Sequence, residues 1–172
     1  MKKGKKVKIW LIATLVFVSC HNSTMAAASI TDASVEGDLL QVIYFEDGSR
    51  FELHSADTTE NCMPSMGRTK GLVEPITKVV RQEGRWISDT GKHLWSLWVE
   101  GVFSYDITTS WSESVYHWIE IKESGAYLIS SSHNLGSNWV SATATVHASD
   151  GNHVRYICLS CSPSGYITPT VL

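Results

Sequence analysis

The sequence lacks the features of a helical or membrane-spanning protein. Its most apolar segment, residues 9–18, is about half of the roughly 20 residues that a transmembrane helix needs, so we expect no transmembrane segment in the mature chain. No window of about 15 residues repeats apolar side chains with helical periodicity. These two absences favour a domain built from strands.

Catalytic and metal-binding motifs are also missing. There is no Gly-x-Ser-x-Gly or His-Glu-x-x-His motif, and residues 130–134 place hydroxyls beside an imidazole without the spatial relay that a catalytic triad needs. Glu100 and Glu120 could act as paired acids on a glycoside only at a separation that sequence alone does not give. His147 and His153 flank one turn, yet two histidines make only half of a zinc site. We therefore predict no catalytic residue, no cofactor and no metal site.

The amino terminus, in contrast, has the organisation of a Sec-type signal peptide. Five lysines and no acidic residue lie in positions 1–8, an apolar segment follows, and Ala26 to Ala28 provide the small residues that signal peptidase requires. We expect residues 1–28 to be removed and the protein to act in the periplasm or outside the cell. A lipoprotein box that ends at Cys20 is the alternative, although Phe17 stands where that pattern usually has leucine.

Few basic residues remain once this segment is removed. The 14 basic residues include its five lysines and all 17 acidic residues follow it, so the mature chain has nine basic side chains and a formal charge of −8. An acidic chain without a basic tract is poorly suited to nucleic acid or anionic membranes, and we predict no nucleic-acid partner. Residues 29–172 are enough for a single domain and too few for two.

Cysteine is scarce, and its number is odd. Cys62, Cys158 and Cys161 follow the signal, and in an oxidising compartment they are disulfide candidates. A bond from Cys62 to either late cysteine would close a loop of roughly 100 residues, for which chain entropy gives about 4 to 5 kcal/mol. Cys158 and Cys161 have the spacing of a redox pair, but they end a strand-like run rather than begin a helix. The pairing stays open.

Two Asp-Gly turns predict β-hairpins. Glu46 to Ser49 separates apolar runs at 39–45 and 50–54, and Ser149 to Asn152 separates two further strand-like runs. Residues 55–74 lose this periodicity and contain proline and glycine, so we predict a long loop there.

The clearest strand runs from Leu94 to Ile107. Apolar side chains alternate there with largely polar ones, as in a strand with one buried face. Ser114 to Ile121 and Ala126 to Ser130 follow with the same period, and we expect the three segments to form an antiparallel meander. The odd-numbered, inward-facing positions of the first strand are Trp95, Leu97, Val99, Gly101, Phe103, Tyr105 and Ile107.

The same period of two returns in the last third of the chain. Val140, Ala142, Ala144 and Val146 alternate there with serine, threonine and histidine. With about eight strands in all, we predict an all-β fold, an antiparallel β-sandwich or flattened barrel that forms a single domain after signal removal.

Aromatic residues are abundant, and two tryptophans lie on the polar side of their strands. Because Trp98 and Trp118 each share a strand face with glutamate, we expect an exposed aromatic platform unless another layer or the 55–74 loop covers this face and makes it core. The predicted ligand-binding residues are Trp98, Glu100, Tyr116, Trp118 and Glu120.

Such a platform suits two classes of partner. Sugar rings stack on indoles while carboxylates accept their hydroxyl protons, and tryptophan and tyrosine also dominate protein interfaces. The leading hypothesis is a small exported, non-catalytic binding module that recognises a glycan or a protein surface. The alternative is a secreted effector, either a membrane-active β-sandwich toxin or a small hydrolase.

Overall fold

The computed structural model describes residues 37–62 and 75–172, and the described residues form nine strands. The predicted signal peptide with Cys20 lies outside the described residues, as do residues 63–74. The strands are β1 (Leu39–Tyr44), β2 (Arg50–Cys62), β3 (Ile76–Ile87), β4 (His93–Tyr105), β5 (Ser110–Ile121), β6 (Tyr127–Leu135), β7 (Trp139–Ala148), β8 (Gly151–Cys161) and β9 (Ile167–Val171).

Two antiparallel sheets pack together as a β-sandwich, which confirms the predicted fold class. Sheet A has the order β1-β2-β3-β4-β5, and sheet B has the order β6-β7-β8-β9. Within the described residues, every hydrogen-bonded pair joins strands that are consecutive in the chain, and all seven pairs are antiparallel. Both predicted Asp-Gly turns connect such pairs, β1 to β2 and β7 to β8.

The core lies between the inner faces of the two sheets. The predicted inward residues of β4 from Trp95 to Tyr105 are buried, and so are the four predicted inward residues of β7. Two glycines of sheet A allow sheet B to approach closely. A Cβ atom at Gly84 would lie 2.2 Å from Phe51 Cζ and 2.9 Å from Ile157 Cδ1 of β8, and Gly101 meets Val140 of β7 in the same way.

Two predictions about connectivity were wrong. Residues 55–62 continue β2 as a strand, because they pair with β3 along their length, so the predicted 55–74 loop does not include them. The predicted three-stranded meander ends at β5, since β6 pairs with β7 in sheet B. Alternation identified these strands, but it contains no information about which neighbour a strand pairs with.

Ile107 was wrongly placed among the buried residues of β4. The strand ends at Tyr105 because Asp106 Oδ1 accepts hydrogen bonds from the amide and hydroxyl groups of Thr108 and Thr109. These bonds, the one from the Thr108 hydroxyl foremost, lower the pKa of Asp106 to about 2. Within this turn Ile107 adopts φ 69° and is 68% exposed.

Arg155 of β8 joins the sheets at one end of the sandwich. Its guanidinium carbon lies 4.1 Å from the ring centroid of Trp86 and 4.2 Å from that of Phe45. Burial lowers the pKa of Arg155 to about 10, which leaves it protonated at neutral pH. Asp150 accepts a 3.0 Å hydrogen bond from Trp86 Nε1 and contacts His153 Nε2 at 2.6 Å. These contacts connect β3 and β8 with the turn that follows β1.

Cys158 and Cys161 are free thiols. Their side chains point to opposite faces of β8, and three residues of strand span about 10 Å, whereas a disulfide needs Cα atoms within about 7 Å. The redox-pair reading of the two cysteines is therefore incompatible with the strand. The side chain of Cys62 lies outside the described part of the chain, but both partners predicted for it, Cys158 and Cys161, are free thiols.

Candidate aromatic binding face

The five predicted ligand-binding residues lie on one face of two adjacent strands. In the register of β4 with β5, Trp98 is opposite Trp118, Glu100 is opposite Tyr116, and Ser96 is opposite Glu120. Sheet B packs against the other face of sheet A. Gly101, which contacts Val140 of sheet B, is at an odd position of β4, whereas Trp98 and Glu100 are at even positions and so point the other way. The structure thus brings all five side chains together on the outer face of sheet A.

Two stacked indoles form the centre of this face. The ring centroids of Trp98 and Trp118 are 5.3 Å apart, and the planes are inclined by only 7°. Trp118 is 37% exposed and Tyr116 is 61% exposed, whereas Trp98, beside Trp118 on β4, is half-buried. Trp98 therefore supports the platform, while Trp118 and Tyr116 present it to solvent.

Charged groups flank the indoles in fixed positions. Arg81 of β3 lies with its guanidinium carbon 5.6 Å from the Trp118 ring centroid. It donates to Glu100 Oε2 from Nε at 3.0 Å and from Nη2 at 2.5 Å. On the opposite side, Lys122 Nζ lies 2.9 Å from Glu120 Oε2 and lowers the pKa of that carboxyl group. Both glutamates are thus held as oriented carboxylates beside the rings.

A buried polar row that sequence reasoning missed continues the face beneath Trp98. Glu83 is opposite Trp98 in the β3–β4 register and is 5% exposed. Its Oε1 accepts a 2.6 Å hydrogen bond from Ser96 Oγ, and its Oε2 lies 2.8 Å from Arg85. Ser96 is 0% exposed, so the polar side of β4 is not open throughout. Recognising β3 as a strand would have placed Glu83 and Arg85 on this face.

The hydrogen-bond directions in this row argue against Ser96 as a catalytic nucleophile. Ser96 has one hydroxyl proton and donates it to Glu83, so His93 Nε2, 2.8 Å from Ser96 Oγ, has to be the donor in that contact. Burial lowers the pKa of His93, which favours the neutral imidazole. A base that donates to a fully buried serine cannot remove its proton.

The turn-flanking histidines do not converge on a metal position. His147 Nδ1 contacts Asn152 Oδ1 at 2.7 Å, whereas His153 is buried against Asp150. Within residues 37–62 and 75–172, no group of three or more histidine, cysteine, aspartate and glutamate side chains is arranged to hold a metal ion.

No family model matches the chain, and no curated protein or solved structure matches it either. In the described part of the chain, no helix has the length and apolar character needed to cross a membrane. The function therefore has to follow from the chemistry of the site itself.

Proposed function

We propose that this protein is an exported, non-catalytic module that binds a glycan on the outer face of sheet A. The observation that carries the proposal is the stacked pair of Trp98 and Trp118, with Trp118 and Tyr116 exposed beside oriented carboxylates. Export is proposed from the signal-like organisation of residues 1–28.

The chemistry of this face suits a sugar ring. The C–H faces of a pyranose are apolar and pack on an indole, while its hydroxyl groups donate to carboxylates and accept from guanidinium groups. Glu100 is already fixed by Arg81, and Glu120 lies exposed beside Lys122. Side chains that are ordered before the ligand arrives lose little conformational entropy on binding.

The positions of the carboxylates support binding rather than glycoside hydrolysis. Glu120 is opposite Ser96, which is four residues from Glu100 on β4. Four residues of strand separate the two backbone positions by about 13 Å, with Trp98 between them, whereas the paired carboxyl groups of glycosidases lie about 5 to 9.5 Å apart.

A protein surface is the second candidate ligand. Trp118, Tyr116 and Arg81 belong to the residue types that contribute most to the affinity of protein interfaces, and here they are contiguous.

Tryptophan fluorescence of the mature chain, residues 29–172 without a tag, tests the proposal. We expect a saturable change with at least one member of a panel of neutral oligosaccharides. Trp118→Ala should weaken that binding about 5-fold or more, since a lost stacking contact costs on the order of 1 kcal/mol or more. Trp139→Ala is the matched control, because Trp139 is an exposed tryptophan of sheet B.

Two outcomes would contradict the glycan proposal. One is the absence of a saturable response across the panel, and the other is equal binding by the Trp118→Ala variant and the parent protein. Release of a dye trapped in liposomes would instead support the membrane-active alternative, because a binding module should leave the vesicles intact.

A further inference from the structure

Two histidines from different sheets meet at one side of the sandwich. His117 lies on β5 and His133 on β6, the strands that end sheet A and sheet B among the described residues. Their Nδ1 atoms are 2.9 Å apart, and their ring centroids are 4.9 Å apart with the planes at 64°. His117 is opposite the fully buried Val99 and so lies on the face of β5 away from Trp118. The pair is therefore separate from the aromatic binding face.

The distance between the two nitrogens matches chelation of a metal ion. For metal–nitrogen bonds of about 2.0 to 2.1 Å, a separation of 2.9 Å corresponds to an angle of about 90° at the ion. This is the angle between adjacent ligands in square-planar and octahedral complexes, whereas a tetrahedral ion would need about 3.3 Å. Imidazole is a preferred ligand of Cu(II) and Ni(II), and Cu(II) has the highest affinity in the divalent series.

The surroundings of the pair leave the remaining coordination positions to solvent. His133 is exposed and His117 is partly exposed, so an ion can reach both nitrogens. The neighbouring positions on the same strand faces are Val115, Ile119, Ser131 and Leu135, and none of them has a carboxylate or a thiol.

We propose that His117 and His133 form a two-histidine site for a divalent late transition metal ion, Cu(II) above all, with both Nδ1 atoms as ligands. Water molecules complete the coordination. Because the ligands come from β5 and β6, a bound ion connects the two sheets and stabilises the folded chain relative to the unfolded one.

Calorimetric titration of the untagged mature chain with Cu(II) should give one ion per chain. At about 100 times the dissociation constant, the ion should raise the melting temperature by about 5 to 10 °C. Ni(II) should bind more weakly at the same site, and it avoids oxidation of the Cys158 thiol. Electron paramagnetic resonance of the Cu(II) complex should show coupling to two imidazole nitrogens.

The exposed His133 gives the decisive variant, because His133→Gln should fold even if His117→Gln does not. His133→Gln should abolish the thermal shift and reduce the number of coupled nitrogens. His147→Gln is the matched control and should retain the thermal shift and the two coupled nitrogens, since His147 contacts Asn152 instead. Trp118→Ala should also retain the thermal shift and the two coupled nitrogens, so the test of metal binding is independent of glycan binding.

Three results would overturn the proposal. They are the absence of a stoichiometric ion, unchanged binding in His133→Gln, and tighter binding of Zn(II) than of Cu(II). The first would identify the contact between the two rings as a hydrogen bond alone.

Discussion

Arg155 is a charged residue at a position of β8 where the alternation of the strand predicts an apolar side chain. It shares the inner face of β8 with His153 and Ile157, which are buried. A guanidinium fits there because it is planar and weakly hydrated, and it stacks on the faces of Trp86 and Phe45. A lysine ammonium would need more solvation and could not stack.

We therefore expect Arg155→Lys to lower the free energy of unfolding by about 1 to 2 kcal/mol and Arg155→Ala to lower it by about 2 to 3 kcal/mol. Urea denaturation monitored by circular dichroism measures both values. Arg50→Ala is the control, because Arg50 pairs with Glu52 nearer the surface and should contribute less than about 1 kcal/mol. Equal losses for Arg50→Ala and Arg155→Ala would contradict the role assigned to the stacked cation.

At the scale of the single strand, β8 separates the two late cysteines. We predict that the mature chain with Cys62→Ser forms no intramolecular disulfide under oxidising conditions, because side chains three positions apart point to opposite faces. Mass spectrometry after alkylation should find both thiols modified. Cys161 should react more slowly than Cys158, since it is buried and burial raises its pKa. A crosslinked Cys158–Cys161 peptide would contradict the strand geometry.

The strands that could be predicted from sequence are those with one apolar and one polar face. β4 and β7 alternate cleanly, so their buried apolar residues from Trp95 to Tyr105 and from Val140 to Val146 were predictable, and the alternation of β5 gave Trp118 the same face as Trp98. β3 was missed because charged and apolar residues mix along it. β9 was missed because it is short and contains Pro169, which an edge strand tolerates.

The part of the site that could not be predicted depends on register. The contacts of Arg81 with Trp118 and of Ser96 with Glu83 join different strands. Periodicity shows which way a side chain points, but not which side chain of the next strand it meets. The His117–His133 contact could not be predicted from the sequence either, because it joins strands of different sheets.

At the scale of the whole molecule, the two sheets pack closely because glycine residues occupy the positions where they meet. Gly84→Ala should lower the free energy of unfolding by about 1 to 3 kcal/mol, because the added methyl group would overlap Phe51 and approach Ile157 of the opposite sheet. Ser131→Ala, on the exposed strand β6, should change it by less than about 0.5 kcal/mol. Chemical denaturation of the two variants compares them directly, and an unperturbed Gly84→Ala protein would show that the sheets are not in close contact there.

The order of strands within each sheet has a consequence for folding kinetics. Each ladder pairs a strand with its neighbour in sequence, so no strand has to wait for a distant segment before it finds its hydrogen-bonding partner. Loop-closure entropy for the ladders is therefore small, and the long-range search is confined to the docking of one completed sheet on the other. A chain with this topology should fold faster than a Greek-key sandwich of equal length.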